Sequence, residues 1–321
     1  MARILKIDDD SIELALETLV GGQCVAIPTE TVYGLAGDAT NGFAVAQIFE
    51  IKGRPRFNPL ICHVSDIGMG LRHGKMNALA IKLAEKFWPG PLTIVVPAIA
   101  DSGISQLATA GIATIGLRCP DSPARMLIQR FGGPLAAPSA NRSGRVSPTN
   151  AQHVAEEFDG LDLLVLDGGP CRIGIESTIV KIEADRLVIL RPGSVSFGEL
   201  ETACGVHVEF HASTAIEAPG MMASHYAPDS HVLTNVTDCP HRAALLAFGG
   251  ASGRDRTKAI AIQNLSPSGD LREAAANLYA MLKLLDAKKA RMIAVEPVPR
   301  EGLGLAINDR LERAATPREA V

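Results

Sequence analysis

The chain has 321 residues, of which 47% are hydrophobic but only 4% are aromatic. This length and composition predict two domains whose cores are built mainly from aliphatic side chains. The formal charge of −4 disfavours a protein whose whole surface binds nucleic acid, because phosphate binding needs an excess of clustered cations. A local basic cleft is compatible with this charge.

Cysteine spacing and the lack of long apolar segments bear on the cellular location. The cysteines form none of the close pairs typical of zinc sites or redox centres, so we expect reduced and mostly buried thiols. They are Cys24, Cys62, Cys119, Cys171, Cys204 and Cys239. The N-terminus has no apolar core of signal-peptide length, and no later stretch is long and apolar enough to span a bilayer. We therefore predict a cytoplasmic protein with no membrane association.

The first elements are predicted from hydrophobic spacing. Apolar residues recur at helical intervals over residues 12–20, after a capping Asp10 or Ser11, which predicts a helix. A short buried strand is predicted at residues 24–27, followed by a polar loop over residues 28–38. Loops at strand ends are common places for groups that bind ligands.

Two cations follow the next predicted helix, over residues 43–51. Gly53 is expected to end this helix, so Lys52 and Arg54 lie at its C-terminal edge, before a proline-stiffened loop that contains Asn58. Capping of the helix dipole would account for one or two cations, at about 0.3 kcal/mol each. It leaves Asn58 and the prolines unexplained, so capping and the binding of a polyanion such as a nucleoside triphosphate both remain open.

Alternating strands and helices continue the pattern and indicate an α/β fold. Strands are predicted at residues 60–64, 92–96 and 112–118, and helices at residues 75–88 and 122–131. His63 lies in the first of these strands, where a histidine is more often a hydrogen-bonded core residue than a ligand-binding one. Arg118 ends the third strand, and the two-residue period places Thr114 on the same face.

A Ser/Asn/Gly loop follows the short apolar segment at residues 135–137. Ser139 and Asn141 belong to this loop, whose backbone could approach an anion closely, although such turns are also common without any function. A helix is predicted at residues 150–158, a strand at 163–166, and a hairpin at 177–183 and 187–191. The hairpin has Ser177 at its start and Arg191 at its end.

The last third of the chain predicts a linker and a second domain. We place the first domain at residues 1–208, the linker at 209–230, and a small Rossmann-like domain at 231–321. Strands at residues 245–248, 259–262 and 292–295 alternate with helices at 270–285 and 303–315. Before the linker, His207, Glu209 and His211 share one face of a predicted strand; a polar outer face is favoured over a metal site.

Seven short motifs occur in an order and spacing typical of one known family. They are Thr29-Glu-Thr-Val-Tyr-Gly-Leu35, Lys52-Gly-Arg-Pro-x-x-Asn-Pro-Leu60, Phe87-Trp-Pro-Gly-Pro-Leu-Thr93, Pro138-Ser-Ala-Asn141, Glu176-Ser-Thr178, Arg191-Pro-Gly193 and His225-Tyr-Ala-Pro228. Together they resemble the threonylcarbamoyl-AMP synthases, in the long form with a YrdC-like domain and a C-terminal Rossmann-like domain. The resemblance implies a twisted mixed sheet with flanking helices around a basic cleft.

The resemblance also implies a reaction. Members of this family combine L-threonine, bicarbonate and ATP into threonylcarbamoyl-adenylate and pyrophosphate, which supplies a tRNA modification. A downstream threonylcarbamoyl transferase complex and a weak tRNA contact would be the macromolecular partners. Mg²⁺ is expected to be held mainly by the ATP phosphates, so no protein ligand to a metal is predicted.

The motifs assign residues by position. The resemblance implies that ATP is bound by Lys52, Arg54, Asn58, Thr114, Ser139, Asn141, Ser147 and Arg191, with Lys52, Arg54, Ser139 and Asn141 nearest the chemistry. Threonine would be bound by Thr31, His63, Arg118 and Ser177, and His225 and Tyr226 would act in a linker lid. The family's usual basic residues before His225 are replaced here by Met222-Ala-Ser224, which leaves linker contacts to phosphate open.

Two alternatives remain at this point. A non-catalytic module that binds tRNA or double-stranded RNA would need a broad basic field and stacking aromatic residues, both of which this composition disfavours. A carbamoyl or acyl transferase could use the same anion cleft without forming an adenylate. Lid control and partner docking are both open for the last domain.

Overall fold

The computed structural model describes residues 2–183, 186–211, 217–251 and 255–317. These residues form two units. The first takes in the residues up to 143, 148–171 and 176–221, and the second takes in 144–147, 172–175 and the residues from 222 onward. The predicted linker therefore begins in the first unit and ends in the second, and its residues 212–216 lie outside the described part of the chain.

The first unit is a mixed sheet with flanking helices. Its strands are β1 (Arg3–Lys6), β2 (Val25–Ile27), β3 (Gly34–Asp38), β4 (Ile61–His63), β5 (Leu92–Pro97), β6 (Thr114–Arg118), β7 (Leu135–Ala136), β8 (Leu164–Asp167), β9 (Thr178–Glu183), β10 (Arg186–Arg191) and β11 (His207–Phe210). Its helices are α1 (Asp9–Val20), α2 (Gly42–Lys52), α3 (Ile67–His73), α4 (Ala78–Phe87), α5 (Pro123–Phe131), α6 (Ala151–Glu157) and α7 (Phe197–Cys204).

The strand order places the centre of the sheet around β4, β6 and β5. The order is β1-β8-β2-β3-β7-β4-β6-β5-β9-β10-β11. β4 runs parallel to β6 with His63 beside Arg118, and β5 runs parallel to β9 with Leu92 beside Thr178. The mixed α/β fold expected from the sequence is confirmed, including the hairpin of β9 and β10.

Two helix ends show how the sequence sets the boundaries. α2 ends at Lys52 because Gly53 adopts a left-handed conformation (φ 57°), which glycine accepts without a steric penalty. This confirms the predicted end. The predicted cap of α1 is wrong: Asp8 is the N-cap, and its side chain accepts from the backbone N–H of Ser11 in a capping box.

Some elements differ from the prediction. The polar loop predicted over residues 28–38 is shorter, because β3 pairs antiparallel with β2 and turns a glycine-containing segment into a strand. Tertiary pairing outweighs the low strand propensity of glycine here. The short elements α3, α7 and β1 were not predicted, although Ser196 and Glu199 form a capping box at the start of α7.

The second unit is a smaller parallel α/β structure. It contains β12 (His231–Leu233), β13 (Ala244–Ala247), β14 (Ala261–Asn264) and β15 (Met292–Val295), with helices α8 (Leu271–Asp286) and α9 (Leu303–Ala315). The strand order is β12-β15-β13-β14, and all three pairings are parallel. The Rossmann-like arrangement predicted for this part is confirmed.

Two further expectations concern the whole chain. The six cysteines are free and buried, as expected. Within the described ranges, none of the helices combines the length and the hydropathy needed to cross a bilayer.

Gly193 provides a test of the packing at the end of β10. A Cβ atom at this position would lie 2.7 Å from the carbonyl carbon of Ser177 and 2.8 Å from the carbonyl oxygen of Glu176, and backbone cannot move aside easily. We expect Gly193→Ala to lower the free energy of unfolding by about 1–3 kcal/mol in urea denaturation. Gly198→Ala is the control, because a Cβ on this α7 residue meets nothing within 4 Å and alanine favours helix by about 0.5–1 kcal/mol. Equal effects of the two substitutions would contradict this packing.

Candidate active site

Lys52 anchors the loop that contains Ser139 and Asn141. Its ammonium group is buried and donates to the carbonyl oxygen of Ser139 at 2.5 Å and to that of Asn141. The Lys52 carbonyl in turn accepts from the backbone N–H of Ser143 at 2.7 Å. Burial, and to a smaller extent the charge of Arg54, hold the pKa of Lys52 well below its ordinary value.

Arg54 is held against the proline-stiffened loop. Its Nε donates to the carbonyl oxygen of Asn58 at 3.1 Å and its Nη2 to that of Pro59 at 2.8 Å. Lys52 and Arg54 are only 3% and 7% exposed, so neither is a solvent-exposed surface cation. Both contribute to local structure as well as to the charge of the site.

The anchored loop also pairs with the end of the Thr29–Gly34 segment. The Ala140 N–H donates to the Tyr33 carbonyl at 2.8 Å, and Gly34 forms an antiparallel bridge with Ser139. Thr31 is fully buried in that segment, and its hydroxyl lies 2.8 Å from the Thr29 hydroxyl. The structure thus brings together two loops that are a hundred residues apart in the sequence.

Arg118 and His63 lie side by side at the ends of β6 and β4. Arg118 Nη2 is 2.8 Å from Glu30 Oε1 in a buried ion pair, and Arg118 Nε donates to the Gly90 carbonyl at 3.4 Å. Burial, with a smaller effect of the Arg118 charge, lowers the pKa of His63 to about 3. The imidazole is therefore neutral near pH 7.

Ser177 and Arg191 form the other side of the site. Nε and Nη2 of Arg191 donate to the Ser177 carbonyl at 3.1 and 3.0 Å, and Nη2 also donates to the Ser177 hydroxyl at 3.2 Å. That hydroxyl is 2.8 Å from the hydroxyl of Thr93 on β5. The Thr178 N–H donates to the Pro91 carbonyl, one residue beyond the carbonyl that Arg118 contacts. Arg118 therefore contacts the Gly90–Pro91 segment directly, and Arg191 is connected to it through Ser177 and Thr178.

Residues 217–221, called the strap below, cover the sheet face that carries Thr114. Ala218 is 1% exposed and packs with apolar residues of β4, β5, β9 and β10. Arg191 Nη1 donates to the Pro219 carbonyl at 3.2 Å, and Lys181 Nζ lies 2.5 Å from Glu217 Oε2. The cavity that remains between the strap and Thr114 measures about 10 Å³, roughly the space of one water molecule.

Three of the predicted residues belong to the second unit. Ser147 is buried there, and Tyr226 is buried in an aromatic cluster. The Tyr226 ring stacks on Tyr279 at 5.7 Å, meets the His225 ring edge-on at 4.1 Å, and has the Arg310 guanidinium carbon 5.2 Å from its centroid. The roles assigned to Ser147, His225 and Tyr226 remain predictions.

No metal-binding cluster was found among the residues that the structure describes. On β11, His207 is exposed and Glu209 is half-buried, and Glu209 Oε1 contacts Arg186 Nη1 at 2.7 Å. A polar outer strand face accounts for both side chains.

The sequence analysis missed two groups of residues that the fold brings to the site. Glu30 and Thr93 lie within motifs that were recognised, but neither was given a role. The strap residues match no functional motif; Pro219 and Gly220 indicate only a turn. Hydrophobic periodicity could not reveal them, because their burial depends on a sheet face formed by distant strands.

Known protein families match this chain over most of its length. A family model described as telomere recombination, covering Sua5, YciO and YrdC proteins, matches residues 17–193. A second model, described as the C-terminal domain of threonylcarbamoyl-AMP synthase, matches residues 195–316. The two models define a chain with a YrdC-type domain followed by the C-terminal domain of the long form.

Individual relatives match almost the whole chain. A threonylcarbamoyl-AMP synthase of Bacillus subtilis (strain 168) is 38% identical over 97% of this chain and 94% of the relative. One from Pyrococcus abyssi (strain GE5 / Orsay) is 36% identical over 97% and 95%. A crystal structure of P. abyssi Sua5 complexed with L-threonine matches with a TM-score of 0.88 and 33% identity, over 98% of this chain and 97% of that one. The chain belongs to the threonylcarbamoyl-AMP synthase family.

The neutral state of His63 predicts a change of stability with pH. The pKa is near 6.5 in the unfolded chain and about 3 in the folded one, so below pH 6.5 the unfolded state binds the extra proton. This contribution to stability is complete above pH 6.5 and is lost as the pH falls toward 3. Between pH 7 and pH 5, we expect wild type to lose about 2 kcal/mol more unfolding free energy than His63→Gln does.

Urea denaturation of both proteins at the two pH values measures this difference. His207→Gln serves as the control, since its side chain is 72% exposed. The same pH dependence in wild type and His63→Gln would show that His63 is not held neutral by the fold.

The ion pair between Lys181 and Glu217 predicts an effect on access to Thr114, where the resemblance places the nucleotide. A partly exposed pair contributes about 0.5–1 kcal/mol, so Glu217→Gln should loosen the strap and change the KM for the expected substrate ATP about two- to fivefold. Glu183→Gln is a matched control, because Glu183 contacts the same lysine at 2.9 Å but lies on β9. Equal shifts in both variants would mean that the strap does not control access.

Proposed function

We propose that this chain joins L-threonine, bicarbonate and ATP into threonylcarbamoyl-adenylate and releases pyrophosphate. The observation that carries this proposal is the set of buried cations in the first unit: Lys52, Arg54, Arg118 and Arg191. The family membership makes the chain an enzyme, a synthase of the nucleotidyltransferase type. This favours catalysis over a non-catalytic RNA-binding module.

The chemistry explains why such a site needs fixed cations. Bicarbonate, the threonine carboxylate and the triphosphate are all anions, and bringing them within bonding distance requires positive charge to offset their repulsion. The threonine amine adds to the carbon of bicarbonate, with loss of water, to give a carbamate. A carbamate oxygen then attacks the α-phosphorus as pyrophosphate leaves. Orientation and charge stabilisation are the contributions that these residues can make.

The nucleotide is assigned to the residues around the Lys52 anchor. Lys52 holds the carbonyls of Ser139 and Asn141, which fixes the loop whose N–H groups and side chains would meet phosphate oxygens. Arg54 holds the carbonyl of Asn58, and Arg191 and Thr114 border the strap. Ser147 keeps its ATP role from the resemblance alone.

Threonine is assigned to the residues around Arg118. The guanidinium suits the α-carboxylate, and His63, being neutral, can orient the substrate through hydrogen bonds without adding charge. Thr31 and Ser177 supply further hydroxyl groups. The relative solved with L-threonine supports this choice of substrate.

Mg²⁺ would enter with ATP, bound mainly to the phosphates. The ammonium group of Lys52 contacts two backbone carbonyls, the nearby carboxylate of Glu157 accepts from the Arg142 N–H, and the carboxylate of Glu30 is paired with Arg118. This donor set suits the phosphates of a magnesium–nucleotide complex better than a free divalent cation. The ion would offset phosphate charge during transfer.

The proposed product suggests partner molecules, and the free thiols suggest a cellular location. An activated adenylate needs an acceptor, so a downstream threonylcarbamoyl transferase complex and a weak contact with tRNA are the proposed partners. The lid role of His225 and Tyr226 is part of the same proposal. We place the protein in the cytoplasm, which the free cysteines favour.

Pyrophosphate release by the purified full chain tests the proposal. With ATP and Mg²⁺ present, we expect release only when both L-threonine and bicarbonate are added, together with an adduct of the mass of threonylcarbamoyl-adenylate in mass spectrometry. Serine in place of threonine and a bicarbonate-depleted buffer are the controls. Carbamoyl or acyl transfer without pyrophosphate release would favour the transferase alternative, and tRNA binding without turnover would favour the RNA-binding one.

A further inference from the structure

A buried carboxylate lies among the residues proposed to bind threonine. Glu30 is the partner of Arg118, and the two side chains are 1% and 5% exposed. Its second oxygen, Oε2, has no hydrogen-bond partner within the part of the chain that the structure describes. Buried carboxylate oxygens normally accept hydrogen bonds, so this atom is suited to a donor supplied by a ligand.

The turn that carries Glu30 is closed by the side chain of Thr29. The Thr29 hydroxyl accepts from the backbone N–H groups of Thr31 and Val32, each at 3.2 Å, and donates to the Val32 carbonyl at 2.6 Å. The turn continues into Tyr33 and Gly34, which pair with the loop that Lys52 anchors. Glu30 is therefore fixed by the same network that orders the rest of the site.

A second buried polar atom near Arg118 has no described partner. His63 Nδ1 makes no hydrogen bond to any of the described residues, and its ring lies beside Arg118 in the strand register. The charge of Glu30 also reaches Cys171, where burial first and Glu30 second raise the pKa of the thiol. Arg118 thus pairs with the carboxylate of Glu30 and lies beside the neutral imidazole of His63.

This set of charges matches an α-amino acid in its zwitterionic form. If the α-carboxylate binds Arg118, the α-ammonium group, one carbon away, must lie close to the same guanidinium. Two cations at that separation repel each other unless an anion lies between them. Glu30 is placed to meet both, because one oxygen contacts Arg118 and the other is unpartnered.

We propose that Glu30 binds the α-ammonium group of threonine through Oε2 while Oε1 holds Arg118 for the α-carboxylate. This assignment rests on the proposed function and adds a specificity residue to it. The net charge of Glu30 and Arg118 is zero, as is that of the zwitterion, so the pocket selects a free amino acid over an anion of the same shape. A glutamate that only positioned Arg118 would give no such selection.

Calorimetric titration of the full chain with two ligands separates these roles. The ligands are L-threonine and its α-hydroxy analogue, in which a hydroxyl replaces the ammonium group. We expect wild type to bind threonine at least about tenfold more tightly than the analogue, as for a hydrogen bond between charged groups. In Glu30→Gln this preference should fall to about threefold or less, whereas Glu85→Gln, an exposed change on α4, should keep it.

Each outcome decides the assignment. Equal weakening of both ligands in Glu30→Gln, with the preference unchanged, overturns it and leaves Glu30 a positioning residue. Equal affinity of wild type for the two ligands overturns it without any variant, even if Glu30→Gln does not fold. If wild type releases pyrophosphate with threonine but either of these two binding results is found, only the Glu30 assignment is overturned. Absence of both threonine binding and pyrophosphate release overturns the proposed function as well.

Discussion

The active-site region depends on the burial of one ammonium group, that of Lys52. A buried charge is costly unless it is paired or hydrogen-bonded, and here the carbonyls of Ser139 and Asn141 provide that compensation. The bonds hold the loop to the end of α2, and the same loop pairs with Tyr33 and Gly34. One compensated cation thus connects three segments that are far apart in the sequence, and the remaining site residues are positioned from them.

Lys52 and Arg118 differ in how their positive charges are compensated. This difference divides the site into two parts. Lys52 is bonded to neutral carbonyl oxygens, which accept from its Nζ without adding a negative charge. Arg118 faces the carboxylate of Glu30, which cancels the charge of the pair. A region with net positive charge suits the phosphates of a nucleotide, and a neutral charged pair suits a zwitterion. The two proposed substrates therefore match two electrostatically different parts of the first unit.

The sequence predicted those elements whose limits are set by neighbouring residues. The end of α2 at Gly53 and the hairpin of β9 and β10 agree with the structure, because a left-handed glycine and a two-residue period act locally. β3 was missed because its strand character comes from pairing with β2. Glu30 was overlooked because a search for anion-binding groups selects cations, and the partner of Glu30 lies 88 positions away.

Local chemistry alone dictated the α/β alternation, most helices and strands, and the residue types that suit polyanions, because periodicity, caps and motifs are properties of neighbouring residues. Family motifs added the roles that a few positions are expected to play. Only tertiary structure decided that Lys52 is buried and anchors a loop, that Ala218 of the strap packs on the central sheet, and that Glu30 meets Arg118. Burial and charge pairing arise between strands and loops that meet after folding, so the linear order of residues does not contain them.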